Sequence, residues 1–328
     1  MRLLAAPDKF RGTATAQEIA AAVCLAADRR GWESASLPLA DGGEGTLQAL
    51  GGANRSSLVT GPLGDPVRAP WRLSGRTAVV EMAQAAGLDL VGGSEGNDAL
   101  AASTAGVGEL ISRAVEAGAR RILVTLGGSA TTDGGYGAVQ ALQPHARLRG
   151  VELVVACDVR TRFVDAAATF GPQKGATPAQ VQLLTRRLER LAQLYLQRYG
   201  VDVLNLEGAG SAGGLAGGLA AVGASLVGGF DLVAEELDLE GQLEGVDLVV
   251  TGEGFLDDQS FDGKAVGGVL SLAQRRGIPL LIVCGDCAPD VGDGLDVVSL
   301  VSRFGRTRSL TDTAACVTEA VAERLARG

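Results

Sequence analysis

The chain has 328 residues, and its composition already excludes several classes of protein. Hydrophobic residues make up 46% of it and charged residues 20%, which is enough apolar chain for the cores of two α/β domains. The formal net charge of −9, without a basic stripe, argues against a nucleic-acid-binding surface. The sequence has no signal-like N-terminus and no apolar run of about 18 residues, which predicts a cytoplasmic protein that does not bind membranes.

The first elements predicted along the chain are a short buried strand and an amphipathic helix. The strand is Arg2–Ala6, and the helix opens with a T-x-x-E capping box formed by Thr15 and Glu18. The next apolar stretch, Ser36–Ala40, ends at a polar glycine loop that begins with Asp41. Enzymes with α/β folds bind ligands in such loops, at the carboxyl ends of strands.

The middle of the chain predicts a sheet that is not purely parallel. Trp71–Leu73 and Thr77–Glu81 flank a Ser-Gly-Arg turn, a pattern typical of a β-hairpin. A helix at Glu109–Ala117 and a strand at Arg121–Leu126 then lead into a second polar glycine loop. A long helix opens at Pro178, because the preceding threonine can cap it.

The C-terminal part predicts a further strand, helix and strand at Asp247–Thr251, Ala265–Arg276 and Pro279–Val283. Thr311 is predicted to cap the last helix. The five cysteines are an odd number scattered through apolar segments, which predicts reduced thiols. Because His145 is the single histidine, a proton acceptor is expected to be a carboxylate.

Four polar clusters each follow an apolar run. They are Asp8 with Lys9 and Arg11, Asp41 with Glu44, Ser129 to Asp133, and Glu253 with Asp257 and Lys264. Carboxylates and cations interleaved with glycine suit phosphoryl transfer, in which metal ions and backbone amides neutralise phosphate oxygens. The P-loop and protein-kinase motifs are both missing, so any kinase activity belongs to another fold.

Taken in order, these clusters resemble the bacterial type I glycerate kinase family. Ala6–Thr13 is similar to the family's A-P-D-S-F-K-G-S, and Ala40–Thr46 is identical to its A-D-G-G-E-G-T. Leu126–Gly137, Phe170–Ala176 and Thr251–Lys264 resemble L-G-G-S-A-T-N-D-G-G-x-G, F-G-P-Q-K-G-A and T-G-E-G-x-x-D-x-Q-x-x-x-G-K. The resemblance extends over nearly the whole chain.

The resemblance implies an α/β protein of two domains with the active site in the cleft between them. One is flavodoxin-like with a parallel sheet, predicted from residues 1–60, 97–128 and 246–328. The other has a mixed, restriction-endonuclease-like sheet, predicted from residues 61–96 and 129–245. The implied reaction transfers the γ-phosphoryl group of ATP to D-glycerate with Mg²⁺, giving 2-phosphoglycerate. Whether the product is 2- or 3-phosphoglycerate, and the oligomeric state, stay open.

The resemblance also implies roles for individual residues. Catalytic roles are expected for Asp8, Arg11, Asp133, Lys174 and Lys264. Contacts to substrate or nucleotide are expected for Lys9, Gly42, Gly43, Gly127, Gly128, Ser129, Thr131, Gly134, Asp158 and Glu253. Asp41, Glu44 and Asp257 are expected to bind magnesium, which prefers hard oxygen ligands. The alternative for each of them is a purely structural role, such as capping a helix or closing a turn.

Three features depart from the family pattern. Arg11 replaces a lysine and Lys9 replaces a serine. Gln143–Arg149 joins two predicted elements almost directly, where the family carries several dozen further residues. The stretch after Cys157-Asp158-Val159 lacks the family's N-P-L-x-G-x-x-G. These departures leave open a degenerate homologue that binds glycerate or nucleotide without catalysis.

Two other functions remain as alternatives. Gly208–Gly213 matches G-x-G-x-x-G, and Asp231 follows at the distance expected of a ribose-binding acid, which would suit a dinucleotide-dependent oxidoreductase. Cys284 and Cys287 form a C-x-x-C pair that would suit a redox or metal site, against two structural cysteines.

Overall fold

The computed structural model describes residues 1–326, which form eleven strands and fourteen α-helices. The strands are β1 (Arg2–Ala5), β2 (Glu33–Ser36), β3 (Arg55–Thr60), β4 (Pro66–Ser74), β5 (Thr77–Glu81), β6 (Arg121–Thr125), β7 (Glu152–Ala156), β8 (Ser225–Val227), β9 (Leu248–Leu256), β10 (Leu280–Cys287) and β11 (Asp296–Ser299). The helices are α1 (Ala16–Asp28), α2 (Thr46–Ala49), α3 (Ala83–Ala86), α4 (Ala105–Glu116), α5 (Tyr136–Ala141), α6 (Ala166–Phe170), α7 (Pro178–Tyr199), α8 (Ser211–Ala221), α9 (Gly229–Glu236), α10 (Leu239–Gln242), α11 (Ala265–Arg276), α12 (Leu300–Phe304), α13 (Arg306–Thr311) and α14 (Thr313–Leu325).

The chain divides into two compact units, and the first contains a parallel sheet. This unit comprises Met1–Asp41 and the chain from Phe230 onward. Its strands lie in the order β11-β10-β9-β1-β2, and all neighbouring pairs are parallel. Numbered within the unit, this is the order 2-1-3-4-5 of flavodoxin-like folds. The predicted flavodoxin-like parallel sheet is therefore confirmed.

Local sequence explains the first elements of this unit. Leu3, Leu4 and Ala5 are all fully buried, as expected of a parallel strand covered on both faces. At the start of α1, the Thr15 hydroxyl accepts a hydrogen bond from the Glu18 amide at 3.2 Å. The Glu18 carboxylate in turn accepts one from the Thr15 amide at 2.8 Å, so the predicted capping box is present.

The second unit, Gly42–Gly229, is built on a mixed sheet. Its strands lie in the order β3-β4-β5-β6-β7-β8, antiparallel from β3 to β5 and parallel from β5 to β8. Ser74 pairs with Thr77 across the turn between β4 and β5, as the hairpin pattern predicted. Trp71, Leu110 and Ile122 lie in the main apolar core of this unit.

The unit boundaries differ from the predicted ones. Residues 97–128 were expected in the flavodoxin-like domain, but β6 pairs with β5 and β7, and α4 packs into the same core. Residues 42–60 also belong to the second unit, because β3 pairs with β4. Residues 230–245 instead belong to the first. Long-range strand pairing decides these boundaries, and the local pattern does not reveal it.

Two other predicted elements have ends in the structure that differ from the predicted ones. Thr311 does not cap the last helix, because it is the last residue of α13 and its hydroxyl donates to the Thr307 carbonyl. Strand β9 continues past Thr251 to Leu256, since its glycine-containing end still pairs with β10. This extension places Glu253 on a strand. Within residues 1–326, the helices are all too short or too polar to cross a membrane.

Candidate active site

Three carboxylates meet at the carboxyl edge of the parallel sheet in the first unit. Asp8 follows β1, Glu253 lies near the end of β9, and Asp41 follows the stretch after β2. The Asp8 amide donates to the Gly252 carbonyl at 2.9 Å, which ties the end of β1 to β9. Between these two strands the 2-1-3-4-5 order reverses direction, and open α/β sheets bind ligands at that point.

Asp8 is the most electrostatically perturbed of these carboxylates. Its side chain is only 9% exposed, and Oδ1 accepts a hydrogen bond from the Lys9 amide at 2.6 Å. Burial, reinforced by the negative charges of Asp41 and Glu253 and opposed by Lys9, raises the pKa of Asp8 to about 6. A carboxylate with this pKa can exchange a proton close to neutral pH.

Glu253 and Lys264 form the other side of this cluster. Burial raises the pKa of Glu253, whereas the Ser260 hydroxyl and the Lys264 charge lower it. Its Oε1 is buried without a hydrogen-bond partner among the described residues. Lys264 is the N-cap of α11, so an ammonium group and a helix N-terminus lie next to the carboxylates. A phosphate group is well matched to that pair.

Asp257, a predicted metal ligand, has a structural contact. Its Oδ1 accepts hydrogen bonds from the amide and the hydroxyl of Ser260, at 3.1 and 3.3 Å. These bonds cap the turn formed by residues 258–261. The neighbouring Asp258 is exposed. Asp257 therefore shapes the chain between Glu253 and Lys264.

The carboxylate cluster suits magnesium as an open site, in which the protein supplies only some of the ligands. Among residues 1–326, no three His, Cys, Asp or Glu side chains converge into a closed metal site. Magnesium is commonly held by one or two carboxylates, with phosphate oxygens and water completing its shell. The unpartnered Oε1 of Glu253, close to Asp41, is a suitable ligand atom. Glu44, the third predicted ligand, belongs to the second unit.

In the second unit, two glycine loops pack directly on each other. A Cβ atom on Gly127 would lie 2.8 Å from the Glu44 amide, and one on Gly128 would overlap the Glu44 carboxylate. Gly42 has a φ of +85° and approaches Gly229 closely, so a side chain there would also clash. The predicted loop residues Gly42, Gly43, Glu44, Gly127 and Gly128 are thus brought together.

A cavity of about 360 Å³ lies at the carboxyl edge of the mixed sheet. Its lining includes Gly127, Gly128, Ser129, Asp158, Lys174 and Ser211. The Asp158 carboxylate accepts a hydrogen bond from the Gly229 amide at 2.6 Å, which joins the ends of β7 and β8. Five predicted binding or catalytic residues therefore share one cavity.

Lys174 is buried, although it was predicted to face substrate. Its Nζ donates to the Thr131 carbonyl at 2.6 Å, and burial lowers its pKa to about 7 despite the nearby charge of Asp133. Thr131 thus offers its carbonyl to Lys174. The Thr131 hydroxyl is buried and has no partner among the described residues.

Replacing Lys174 by methionine is expected to change how stability depends on pH. Lysine in the unfolded chain titrates near 10.5, whereas folded Lys174 titrates near 7. Between these values the unfolded state binds more protons. The free energy of unfolding of the wild type should therefore rise with pH relative to that of the variant, by at most about 1.4 kcal/mol per pH unit. Urea unfolding of both proteins across this range measures the difference, and parallel pH profiles would contradict the expectation.

Asp133 lies in a fully satisfied structural environment. Its Oδ2 accepts hydrogen bonds from the Thr104 amide (2.9 Å), the Thr104 hydroxyl (2.8 Å) and the Gly137 amide (3.1 Å). Its Oδ1 accepts one from the Gly135 amide at 3.1 Å. Burial raises the pKa of Asp133, and these bonds lower it. The carboxylate joins the glycine loop to the starts of α4 and α5, an arrangement that favours the structural alternative.

The structure places Gly134 away from the cavity and Arg11 close to the carboxylate cluster. Gly134 packs on α7, where the buried Tyr195 hydroxyl donates to its carbonyl at 2.9 Å. Arg11 lies in the exposed turn after β1, with its amide packed on Gly254. Lys9 lies beside Asp8.

Glu81, at the end of β5, is a site residue that sequence reasoning missed. It is 4% exposed, and its Oε2 accepts hydrogen bonds from the amides of Gly45 and Leu47 at 3.2 and 3.1 Å. It therefore holds the predicted loop that contains Gly43 and Glu44. The available signal was a single acid at the end of an apolar strand.

The two alternative motifs lack the structural context that they require. A dinucleotide fingerprint must follow a strand, but Gly208–Gly213 follows α7 and a run of turns. Its backbone is left-handed from Ala212 to Gly214, with φ of 51°, 68° and 90°. That prediction is therefore wrong. Cys284 is fully buried, and burial together with Cys287 raises its pKa to about 12, which disfavours a reactive thiolate.

Comparison with known proteins decides the family. A sequence model described as the glycerate kinase family matches residues 3–144 and 142–328. The chain belongs to the glycerate kinase family. It is 37% identical to glycerate 2-kinase of Escherichia coli (strain K12), with 93% of this chain and 92% of that protein covered. It is 38% identical to glycerate kinase of Bacillus subtilis (strain 168), with 88% and 86% covered.

A solved structure supports the fold at the same level. The crystal structure of a protein from Salmonella typhimurium LT2, provisionally named glycerate kinase 2, superposes on this chain with a TM-score of 0.86. The sequences are 36% identical, and the match covers 100% of this chain and 98% of that one. The family matches meet at residues 142–144, where the sequence predicted a missing segment. The predicted resemblance is confirmed.

Proposed function

We propose that the protein is a cytoplasmic kinase that transfers the γ-phosphoryl group of ATP to D-glycerate and forms 2-phosphoglycerate. The observation that carries this proposal is the cluster of Asp8, Asp41, Glu253 and Lys264 at the carboxyl edge of the parallel sheet. Three carboxylates beside lysine ammonium groups match the needs of phosphoryl transfer, where charge is neutralised around a transferring phosphate. Membership of the glycerate kinase family supplies the acceptor.

In this proposal Asp41 and Glu253 hold magnesium, which supplies charge neutralisation to the phosphate oxygens of the nucleotide. Asp8 accepts the proton of the glycerate hydroxyl, because its pKa of about 6 keeps it ionised yet basic at neutral pH. Lys264 and the N-terminus of α11 bind the transferring phosphoryl group. Turnover should accordingly increase with pH as Asp8 ionises.

The cavity of the second unit is proposed to bind a substrate through Gly127, Gly128, Ser129 and Asp158. Lys174 contributes positive charge to its wall when it is protonated. Glu81 keeps the neighbouring loop in place. Arg11 and Lys9 add positive charge after β1 and are proposed to bind phosphate oxygens.

The test is ADP release by the purified protein in a coupled assay. Release should require both D-glycerate and magnesium, and phosphorus NMR of the product should show 2-phosphoglycerate. Nucleotide or glycerate binding without any turnover would favour the non-catalytic homologue, which the segment missing at Gln143–Arg149 motivates. A 3-phosphoglycerate signal would correct the regiochemistry alone.

Lys264→Ala should lower kcat about 100-fold, because an ammonium group held against a transferring phosphoryl group acts mainly in the transition state. The melting temperature should change little, since Lys264 is half-buried and its backbone forms the cap contacts of α11. Arg276→Ala, at the opposite end of the same helix, is the matched control and should retain full kcat. Equal turnover of the two variants would make Lys264 an ordinary surface lysine.

A further inference from the structure

The first unit contains a large cavity that the proposed chemistry does not use. It has a volume of about 610 Å³ and lies between α9 and α11. Its lining includes Phe230, Asp231, Phe261, Gly267, Gly268 and Arg275. None of the side chains proposed above for phosphoryl transfer lines it.

We propose that this cavity binds the nucleoside end of ATP, with the base beside Phe261 and the phosphate chain leaving toward Lys264. The inference rests on the proposed kinase function and extends it by naming the subsite of one substrate. A volume of about 610 Å³ is within the range of pockets that bind ligands of this size.

Two aromatic rings and two glycines shape the cavity wall. Phe230 is 6% exposed and packs against Gly268, where any Cβ atom would overlap its ring. The backbone of Phe261 packs against Gly267, where a Cβ atom would lie 2.6 Å from the Phe261 Cα. The glycines therefore let the Phe230 ring and the Phe261 backbone lie directly on α11. Purine bases bind well on such apolar, aromatic surfaces through stacking.

The negative charge of the cavity lining favours binding of the nucleoside and disfavours binding of the phosphates. Asp231, Glu235, Asp238 and Glu240 all line the cavity. Among residues 1–326 one cation lines the cavity, Arg275, and it already lies 3.5 Å from Glu240. This negative wall would repel a triphosphate, but carboxylates accept hydrogen bonds from ribose hydroxyls and base amino groups. The cavity thus suits the uncharged, donor-rich part of a nucleotide.

Residues that line the cavity directly precede Lys264, which is proposed to bind the transferring phosphoryl group. Phe261 and Gly263 line it, and Lys264 follows Gly263 directly as the N-cap of α11. The charge of Lys264 in turn acts on Glu253. A nucleotide with its base on Phe261 would therefore present its phosphates to the residues proposed to bind them.

The test compares Mg·ATP with Mg·tripolyphosphate, which has the phosphate chain without the nucleoside, by calorimetric titration of the full-length protein. Phe261→Ala should weaken ATP binding at least about 10-fold and leave tripolyphosphate binding unchanged. Phe255→Ala is the matched control, because this phenylalanine is 52% exposed and does not line the cavity. Asp231→Ala, at an exposed position, gives a second variant with little effect on folding and should also weaken ATP binding alone.

The outcomes separate this inference from the proposed function. Unchanged ATP affinity in both cavity variants, or an equal loss of tripolyphosphate affinity, would overturn the nucleoside subsite even if glycerate turnover is normal. Selective loss of ATP affinity in a protein that never phosphorylates glycerate would support the subsite and reject the kinase. Absence of ATP binding in the wild type would overturn both.

Discussion

Asp8→Asn should lower kcat about 1000-fold and at the same time stabilise the folded protein near pH 7. The loss of turnover follows from removing the proposed proton acceptor. The gain in stability follows from the electrostatics, because burial and two neighbouring carboxylates oppose ionisation of Asp8. The asparagine oxygen can still accept the hydrogen bond from the Lys9 amide. Activity and stability should therefore change in opposite directions.

The gain in the free energy of unfolding should decrease as the pH falls. The pKa of Asp8 is about 6 in the folded state against 3.8 in the unfolded state, so the folded state binds more protons between these values. Stability from this group is lost as the pH rises through about 6, and the variant avoids that loss. Unfolding in metal-free buffer should show a gain of about 3 kcal/mol at pH 7 that shrinks toward pH 4. Asp258→Asn, at an exposed carboxylate, should show neither effect. A pH-independent gain, or normal turnover, would remove Asp8 from the proposed role.

Asp133→Asn should destabilise the protein by about 3 kcal/mol without changing its magnesium requirement. Both carboxylate oxygens accept hydrogen bonds, three at Oδ2 and one at Oδ1. An asparagine has a single acceptor oxygen, so its NH₂ group would face at least one backbone amide donor. The asparagine NH₂ group and the amide that it faces would repel each other, and other buried donors would be left without an acceptor. Together these effects account for a loss of this size.

Asp98→Asn is the matched control for Asp133. Asp98 accepts hydrogen bonds from Leu100 and Ala101 through Oδ1 alone, so asparagine can keep both bonds. Its melting temperature should hardly change. Magnesium titration of activity decides between the structural and catalytic roles of Asp133. A raised magnesium requirement in Asp133→Asn, with a normal melting temperature, would restore the metal-ligand hypothesis.

Sequence reasoning succeeded where the determining contacts are local. The predicted capping box at Thr15 and the predicted cap at Thr177 join residues three positions apart, and both are present. The predicted bounds of α11 agree with the structure for the same reason, since Lys264 and Gly277 flank it. The predicted unit boundaries differed because strand pairing over long distances decides them. Nothing near Arg121 in sequence indicates that β6 pairs with β5.

The same limit applies to the candidate site. Asp8 and Asp133 each follow an apolar strand and lie in a polar loop that also contains glycine, so their local patterns are alike. They differ because the partners of Asp133 include Thr104, 29 residues away, whereas Asp8 meets Asp41 and Glu253. Lys174 is buried by contacts of the same kind, including a bond to Thr131, 43 residues away. A residue type and its neighbours along the chain predict a chemical capability, and the tertiary partners decide whether it is used.

The division of the chain has a consequence for the order of folding during synthesis. Residues 42–229 form a continuous unit, whereas the first unit is interrupted by them. Strand β9 pairs with β1 across about 245 residues, the same separation that the hydrogen bond from the Arg2 amide to Asp247 spans. Strand β1 therefore cannot pair with β9 until the ribosome has added those residues. Nascent β1, β2 and α1 must therefore wait, exposed, while the inserted unit can fold at once. Chains that stall late in translation should then contain a protease-resistant core from residues 42–229 and an N-terminal segment that is still cleaved readily.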